Sequence, residues 1–177
     1  QFPIDIFQTG SGTSTNMNVN EVLASIANTF IKDKANLIHP NDHINMGQSS
    51  NDVIPTAIHI SSLIAVEKNL IPSLIKLESA ISVKVKEFNK VLKIGRTHLQ
   101  DATPMTLGQE FSGYQSIIKN SLNQINQTKK ILSGLAQGGT AVGTGINTHK
   151  NFGVLIAKEI SKFTKIKFVK TKNHFEA

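Results

Sequence analysis

The stretch GRTHLQDATPMTLGQE, residues 95–110, places a candidate functional group directly ahead of a long helix. Arg96, the only arginine of the chain, is followed by Thr97 and His98. Pro104 disfavours helix at the residue before it and suits a first helical turn, so we predict a non-helical segment that ends at Pro104. Histidine titrates near neutral pH, and functional groups are often carried on segments next to a rigid element. His98 is therefore a candidate functional residue.

The residues after this stretch carry one apolar stripe. Its steps are mostly three or four positions, and its members are Leu107, Phe111, Tyr114, Ile118, Leu122, Ile125 and Leu132. This spacing is close to a heptad and predicts a long helix in a helical bundle. A helix over residues 105–135 would span roughly 45 Å. Because so short a chain rarely buries so long a stripe alone, we expect partner helices from other subunits.

Apolar spacing predicts three further helices. One begins near Asn18 and has apolar residues four positions apart on one face, namely Val22, Ile26 and Phe30. Another runs from Asp52 to about Lys90 and should be kinked or divided at Pro72. A short helix follows late in the chain, with four residues expected to face inward: Phe152, Leu155, Ile156 and Phe163. Residues 36–51 predict a loop, and residues 138–145 predict a glycine-rich turn without the lysine of a phosphate-binding loop.

The composition fits one domain, or one domain with part of another, since the 177 residues are 39% hydrophobic and 6% aromatic. The absence of cysteine excludes disulfides and thiolate metal sites. No uninterrupted apolar run reaches the roughly 18 residues of a membrane span, and no targeting signal is visible. The net charge of +7 comes from an excess of lysine, much of it in residues 162–172, where arginine is absent, and aromatic stacking partners for nucleic-acid bases are sparse. We therefore expect neither a membrane nor a nucleic-acid partner.

Four predicted loops share hydroxyls, amides and backbone N–H groups, with few fixed charges. They are residues 11–13, 39–42, 49–52 and 97–98. Such donors suit a small anion whose charge is met by hydrogen bonds, although turns and helix caps use the same residue types. His39 and His43 are four positions apart, but Pro40 lies between them and the glutamate of a zinc-binding helix is absent. No metal site is predicted.

Taken in order, four motifs resemble those of class II fumarase (fumarate hydratase), a member of the fumarase/aspartase superfamily. The motifs are SGTSTNMNVNEV, HPNDHINMGQSSNDVIPTAIHI, GRTHLQDATPMTLGQE and GGTAVGTGINTH. The resemblance extends over essentially the whole chain. Aspartases typically have glutamine at the position of His98, asparagine at that of His39 and threonine at that of Ser50. All three positions here follow the fumarase pattern.

The resemblance implies a mainly α-helical fold in which residues 1–47 are the end of an N-terminal domain. Residues 48–177 would then be the first part of a central helical-bundle domain that several subunits share. It also implies a homotetramer whose active sites each draw on three subunits. The residues implied to bind a dicarboxylate are Ser11, Gly12, Thr13, Ser49, Ser50, Asn51 and Thr97. A second dicarboxylate site would be lined by His39, Asn41 and Asp42, although Asn36 stands where many members carry arginine.

The implied reaction is the reversible anti addition of water to fumarate, giving (S)-malate, in the tricarboxylic acid cycle. It needs no metal or organic cofactor, and His98 would be the catalytic residue that acts on the hydroxyl side. The family's mobile loop, with the motif GSS-x-M-P-x-K-x-N and the serine that takes the carbon proton, is expected beyond Ala177. The 177 residues alone are therefore expected to be inactive.

Two alternatives remain open at this point: an aspartate ammonia-lyase of the same superfamily, and a helical assembly fragment without activity. The expected location is the cytoplasm, or the mitochondrial matrix in a eukaryote.

Overall fold

The structure is a computed structural model that describes residues 2–32 and 35–176. In chain order its elements are α1 (Thr13–Thr29), a π-helical turn (Pro40–Ile44), α2 (Ser50–Ala65), a second π-helical turn (Val66–Leu70), α3 (Ile71–Glu87), β1 (Leu92–Thr97), β2 (Gln100–Thr106), α4 (Leu107–Leu132), β3 (Gly134–Leu135), α5 (Phe152–Thr164), β4 (Val169–Lys170) and a short 3-10 turn (His174–Glu176). The predicted mainly α-helical class is confirmed.

The chain divides into two compact units. The first comprises Gln1–Ser62 and Leu132–Ala177, and the second comprises Leu63–Ile131. The first unit therefore brings together the two ends of the sequence, and the second is one continuous segment. The division of a longer protein into domains at residues 47 and 48 stays a prediction.

Helix α1 begins at Thr13, five residues before the predicted start, because Gly12 supplies the turn that precedes it. Gly12 has φ +75° and caps the helix. A Cβ atom at Gly12 would lie 2.8 Å from the side chain of Ile54 in α2. A residue other than glycine would be disfavoured at this position both by its backbone angle and by this contact.

The buried face of α1 is polar, which the apolar spacing did not indicate. Its buried residues are Asn16, Asn20 and Ala24, whereas Phe30 is 81% exposed. The two asparagine side chains donate to Oδ1 of Asn45, at 3.2 Å from Asn16 and 3.1 Å from Asn20. Because each buried amide has a partner, the helix can bury these residues without leaving unpaired polar groups.

The long helix predicted from Asp52 to about Lys90 is confirmed as Ser50–Glu87, interrupted ahead of Pro72. Proline has no N–H, and its ring displaces the carbonyl one turn before it. The helix widens to a π-helical turn at Val66–Leu70, where the N–H of Ile71 bonds to the carbonyl of Val66. A π-helical turn is one of the ways in which a helix accommodates such a break.

Within the described residues, one helix is long and apolar enough to cross a membrane by length and composition. It is Ser50–Glu87, with a mean hydropathy of 1.2 over an 18-residue window of which 6% is buried inside the chain. A helix that packs against other protein helices passes the same test, so this single helix is weak evidence for a membrane.

The expectation of a helix starting at Pro104 is wrong, because the stretch around His98 folds as a β-hairpin. Strands β1 and β2 are antiparallel, Pro104 pairs with Ile94, and α4 begins only at Leu107. Both strands of a two-stranded ribbon are edge strands, which is where proline is tolerated. The register shifts between Ile94 and Arg96, so the ribbon contains a bulge.

In the second unit, α3 and α4 pack side by side in opposite directions. The rings of Phe88 and Phe111 meet edge to face at 5.2 Å, and Gln115 donates to Glu78 at 2.6 Å. The hydrogen bond from Gln115, with Lys119 nearby, lowers the pKa of Glu78. The stripe of α4 is thus partly covered by its own chain. Tyr114, on that stripe, and Ile117, beside it, stay more than a third exposed.

A polar contact joins the hairpin to α4. Lys93 of β1 donates to Glu110, which also accepts a hydrogen bond from the hydroxyl of Tyr114 at 2.6 Å. The hydrogen bonds from Lys93 and Tyr114 lower the pKa of Glu110, and the bond to that carboxylate raises the pKa of Tyr114.

The predicted inward face of the last helix is wrong in part. In α5 the buried residues are Gly153 and Ala157, while Phe163 is 90% exposed and Leu155 is also exposed. A Cβ atom at Gly153 would lie 2.6 Å from the carbonyl oxygen of Gln137. Small residues therefore let backbone approach this helix closely, while Phe152 and Ile156 are half-buried.

Gly108 and Gly113 of α4 form a matched pair for testing the contact between α3 and α4. A Cβ atom at Gly108 would lie 2.8 Å from Asn89 Cα and from the Val85 carbonyl oxygen, whereas one at Gly113 would meet nothing within 4 Å. We expect Gly108→Ala to lower the free energy of unfolding by about 1–3 kcal/mol, and Gly113→Ala to raise it by up to about 1 kcal/mol.

Urea unfolding of the two variants, followed by circular dichroism, measures both effects. A Gly108→Ala protein as stable as the Gly113→Ala protein would contradict the close approach of the two helices.

Candidate functional site

A cleft of about 500 Å³ lies in the first unit, where the starts of α1 and α2 meet the glycine-rich turn. The last described residues close one side of it. The lining residues are Gly10, Ser11, Ser50, Asn51, Asp52, Ile54, Pro55, Ala136, Gly139, Thr140, Ala141, Val142, Gly143, His174 and Phe175. Three of the predicted substrate-binding residues, Ser11, Ser50 and Asn51, therefore share one cavity.

A chain of hydroxyl groups runs along the wall formed by the two helix starts. Ser11 Oγ lies 3.1 Å from Thr9 Oγ1 and 3.4 Å from Thr13 Oγ1, and Thr13 Oγ1 lies 3.2 Å from Ser50 Oγ. Each hydroxyl can donate as well as accept, so the wall can rearrange its hydrogen bonds around an anion. The predicted residues Ser11, Thr13 and Ser50 are brought together, although Thr13 and Ser50 are 37 positions apart.

Ser49 caps helix α2. Its hydroxyl oxygen accepts the N–H of Asn51 at 3.2 Å, and Oδ1 of Asp52 accepts the N–H of Ser49 at 2.9 Å. This reciprocal pair is the capping-box arrangement of a helix N-terminus. Within this chain the side chain of Ser49 thus has a capping contact, and its predicted contact with a dicarboxylate stays a prediction.

The glycine-rich turn is held against the start of α2 by Asp52 and Asn51. Oδ2 of Asp52 accepts the N–H of Gly138 at 3.0 Å and the N–H of Thr140 at 2.8 Å. Nδ2 of Asn51 donates to the carbonyl of Ala141 at 2.8 Å. Asp52 is only 2% exposed. Two adjacent residues of one helix therefore fix both the N–H and the carbonyl groups of a distant turn.

The sequence-based prediction missed Asp52, Thr140 and His174 as residues of this cleft. The Ser49 to Asp52 spacing could have indicated a capping box, but not the second partner of the carboxylate. Nδ1 of His174 lies 2.9 Å from the carbonyl oxygen of Ala136, which places the imidazole beside the turn. No local pattern around residue 174 indicates this contact.

Thr97 and His98 lie in the second unit, at the end of the β-hairpin, and they do not line the cleft described above. The hairpin turn consists of His98 and Leu99, with φ +49° and +63°. Both side chains are exposed. Positive φ at both turn residues is the geometry of a tight two-residue hairpin. The turn presents the imidazole of His98 at the tip of a ribbon, and its predicted catalytic role stays a prediction.

The residues of the predicted second dicarboxylate site lie together at the first π-helical turn. Nδ1 of His39 accepts the N–H groups of Asn41 and Asp42 at 3.3 and 3.2 Å. The backbone N–H of His39 donates in turn to Nδ1 of His43 at 2.8 Å. His39 therefore caps this turn, and the binding of a dicarboxylate here stays a prediction.

The sequence matches the family described as Lyase over residues 1–177. The class II fumarate hydratase of Rickettsia bellii is 54% identical over 179 residues, covering 99% of this chain and 39% of that protein. The mitochondrial fumarate hydratase of Saccharomyces cerevisiae is 52% identical over 178 residues, covering 99% of this chain and 36% of that protein.

Among solved structures, the recombinant class II fumarase from Schistosoma mansoni matches with a TM-score of 0.90 and 42% identity, covering 98% of this chain and 40% of that one. The chain thus spans less than half the length of these relatives. The motif resemblance to class II fumarase is confirmed by their names and by their identity over nearly the whole of this sequence. The chain belongs to the lyase family.

Proposed function

We propose that the protein to which this chain belongs is a class II fumarate hydratase, which catalyses the reversible anti addition of water to fumarate to give (S)-malate. The observation that carries the proposal is the set of neutral donors that line the cleft, Ser11, Ser50 and Asn51, with Thr13 linking Ser11 to Ser50 by hydrogen bonds. The chain's similarity to proteins named fumarate hydratase supports the proposal.

The chemistry explains why such a wall is useful. The proton removed from malate is on a carbon beside a carboxylate, and such a carbon acid is very weak. Removing the proton places extra negative charge on that carboxylate, which becomes an aci-carboxylate. Aligned hydroxyl, amide and N–H donors stabilise the added charge, and removing one donor typically costs about 3–4 kcal/mol of transition-state stabilisation. In this proposal Ser49, Ser50, Asn51 and Thr97 hold the substrate carboxylates.

His98 acts in this proposal on the oxygen side of the reaction. Its imidazole holds and polarises the water that adds to fumarate, or the hydroxyl that leaves malate. The carbon proton is taken by the serine of the GSS-x-M-P-x-K-x-N motif, which residues 1–177 do not contain. Proton transfer at the carbon therefore falls to a residue outside this segment, and we expect the segment alone to be inactive. The proposed reaction requires no metal or organic cofactor.

The proposed assembly is a homotetramer whose subunits share the central helices and the active sites. Exposed apolar residues on α3 and α4 support it, among them Ile75, Val83 and Ile117. The proposed location is the cytoplasm, or the mitochondrial matrix in a eukaryote, since the Saccharomyces cerevisiae relative is named a mitochondrial fumarate hydratase.

The function is tested on the full-length protein with two reactions. We expect fumarate hydration, followed by the loss of ultraviolet absorbance of the conjugated double bond, and no deamination of aspartate. Residues 1–177 alone, verified by mass, serve as the inactive control. Aspartate deamination without fumarate hydration would contradict the proposal and favour an ammonia-lyase.

His98→Asn should lower kcat for malate by at least roughly a hundredfold, on the scale of a lost acid–base group. Asparagine tolerates positive φ, so the hairpin turn should keep its shape. The matched control is Leu99→Asn, which places the same residue at the neighbouring turn position and should keep kcat within a few fold.

Both hairpin variants are measured for kcat, circular dichroism and sedimentation on one preparation. A folded His98→Asn tetramer with near-normal kcat would remove His98 from the mechanism.

Ile117→Glu should break the tetramer. Ile117 is 62% exposed in this chain, so a glutamate there meets only solvent unless another subunit covers it. In a shared bundle the unpaired carboxylate would be buried, at a cost of several kcal/mol. Asn123→Glu is the control, because residue 123 lies roughly 240° further around α4.

Sedimentation velocity of the full-length variants gives the assembly state. An Ile117→Glu protein that stays as tetrameric as the Asn123→Glu control would rule out the proposed placement of α4.

A further inference from the structure

We propose that Asp52 is a positioning residue of the cleft, which sets the relation between the start of α2 and the glycine-rich turn. The inference rests on the proposed function, because it states how the substrate-binding wall is kept in shape. Asp52 acts here through its neighbours, Asn51 and the turn, rather than by accepting a bond from the substrate.

The two oxygens of the Asp52 carboxylate accept hydrogen bonds from two different parts of the chain. Oδ1 accepts the N–H of Ser49 at 2.9 Å, at the start of α2. Oδ2 accepts the N–H groups of Gly138 and Thr140 at 3.0 and 2.8 Å, in the turn. Only a carboxylate offers acceptors in both directions, because an amide of the same shape would present its NH₂ group to one of these N–H donors.

The turn needs this anchor because of its backbone conformation. Thr140 has φ +57°, an angle that a β-branched residue adopts only when its surroundings enforce it. Its N–H is bonded to Asp52, and the carbonyl of the next residue, Ala141, is bonded to Asn51. The side chains of α2 thus hold the turn at two successive residues, on either side of the strained peptide.

The same turn offers donors to a bound anion. Among the described residues, the N–H groups of Ala141 and Val142 have no hydrogen-bond acceptor, and both residues line the cleft. Their placement depends on Thr140, which directly precedes them. A change at Asp52 would therefore alter Asn51 and the turn together, and with them the fit of a substrate carboxylate.

The first test compares Asp52→Asn with Asp5→Asn in the full-length protein. Asp5 is an exposed carboxylate that also accepts a backbone N–H, from Phe7 at 2.7 Å, so it controls for the chemical change. We expect KM for fumarate to rise at least tenfold in Asp52→Asn and to stay within twofold in Asp5→Asn. A purely structural role would lower kcat with the active fraction and leave KM unchanged, and that result would overturn the proposal.

The second test needs no variant and so stands even where Asp52→Asn does not fold. Amide hydrogen exchange of the wild-type protein is measured with and without saturating succinate, an unreactive dicarboxylate. We expect exchange at Gly138 and Thr140 to slow at least tenfold with succinate, because the anchored turn is part of the binding wall. Unchanged exchange at both amides would overturn the positioning role.

The two tests also separate this inference from the proposed function. If the wild-type protein does not hydrate fumarate, the proposed function fails, whereas slowed exchange with succinate would still support the positioning role in a dicarboxylate site. If it hydrates fumarate and either test is negative, with KM unchanged in Asp52→Asn or exchange unchanged by succinate, only the positioning role fails.

Discussion

The buried carboxylate of Asp52 is the contact on which the cleft depends. It joins the start of α2 to a turn 86 and 88 positions later in the chain. A buried charge is unfavourable unless hydrogen bonds replace its lost hydration, and here three backbone N–H groups do so. Because the carboxylate and the three N–H groups satisfy one another, loss of the carboxylate would leave all three N–H groups without a partner. The cleft therefore requires both chain segments of the first unit, residues 1–62 and 132–177.

Buried side-chain amides in the first unit are also paired by hydrogen bonds with other side-chain amides. Asn45 accepts hydrogen bonds from both buried asparagines of α1, and Gln48 accepts one from the buried Gln137 at 3.1 Å, next to the glycine-rich turn. These contacts connect α1, the segment after the first π-helical turn and the cleft. Because hydrogen bonds are directional, these side-chain pairs fix how the connected parts of the unit are placed. Leu135 and Phe168 are buried in this unit, whereas other large apolar side chains, such as Phe30 and Phe163, are exposed.

The site residues predicted from the sequence lie on two kinds of structure. The neutral donors of the cleft lie at the starts of helices, where N–H groups and capping side chains already favour an anion. His98 lies instead on a two-residue hairpin turn with positive φ at both positions. Helix starts hold donors in fixed positions, whereas the hairpin tip leaves the side chains of both of its turn residues exposed.

Apolar periodicity in the sequence determined the long helices, and Pro72 determined the break in one of them, because both signals are local along the chain. The motifs determined the family and three residues that share the cleft, Ser11, Ser50 and Asn51. The hairpin was missed because His98 and Leu99 replace the usual asparagine and glycine, and Pro104 is tolerated only because its ribbon has no third strand. The polar face of α1 and the role of Asp52 depended on partners remote in the chain. Local pattern shows which groups need a partner, but only the tertiary structure decides which distant group supplies it.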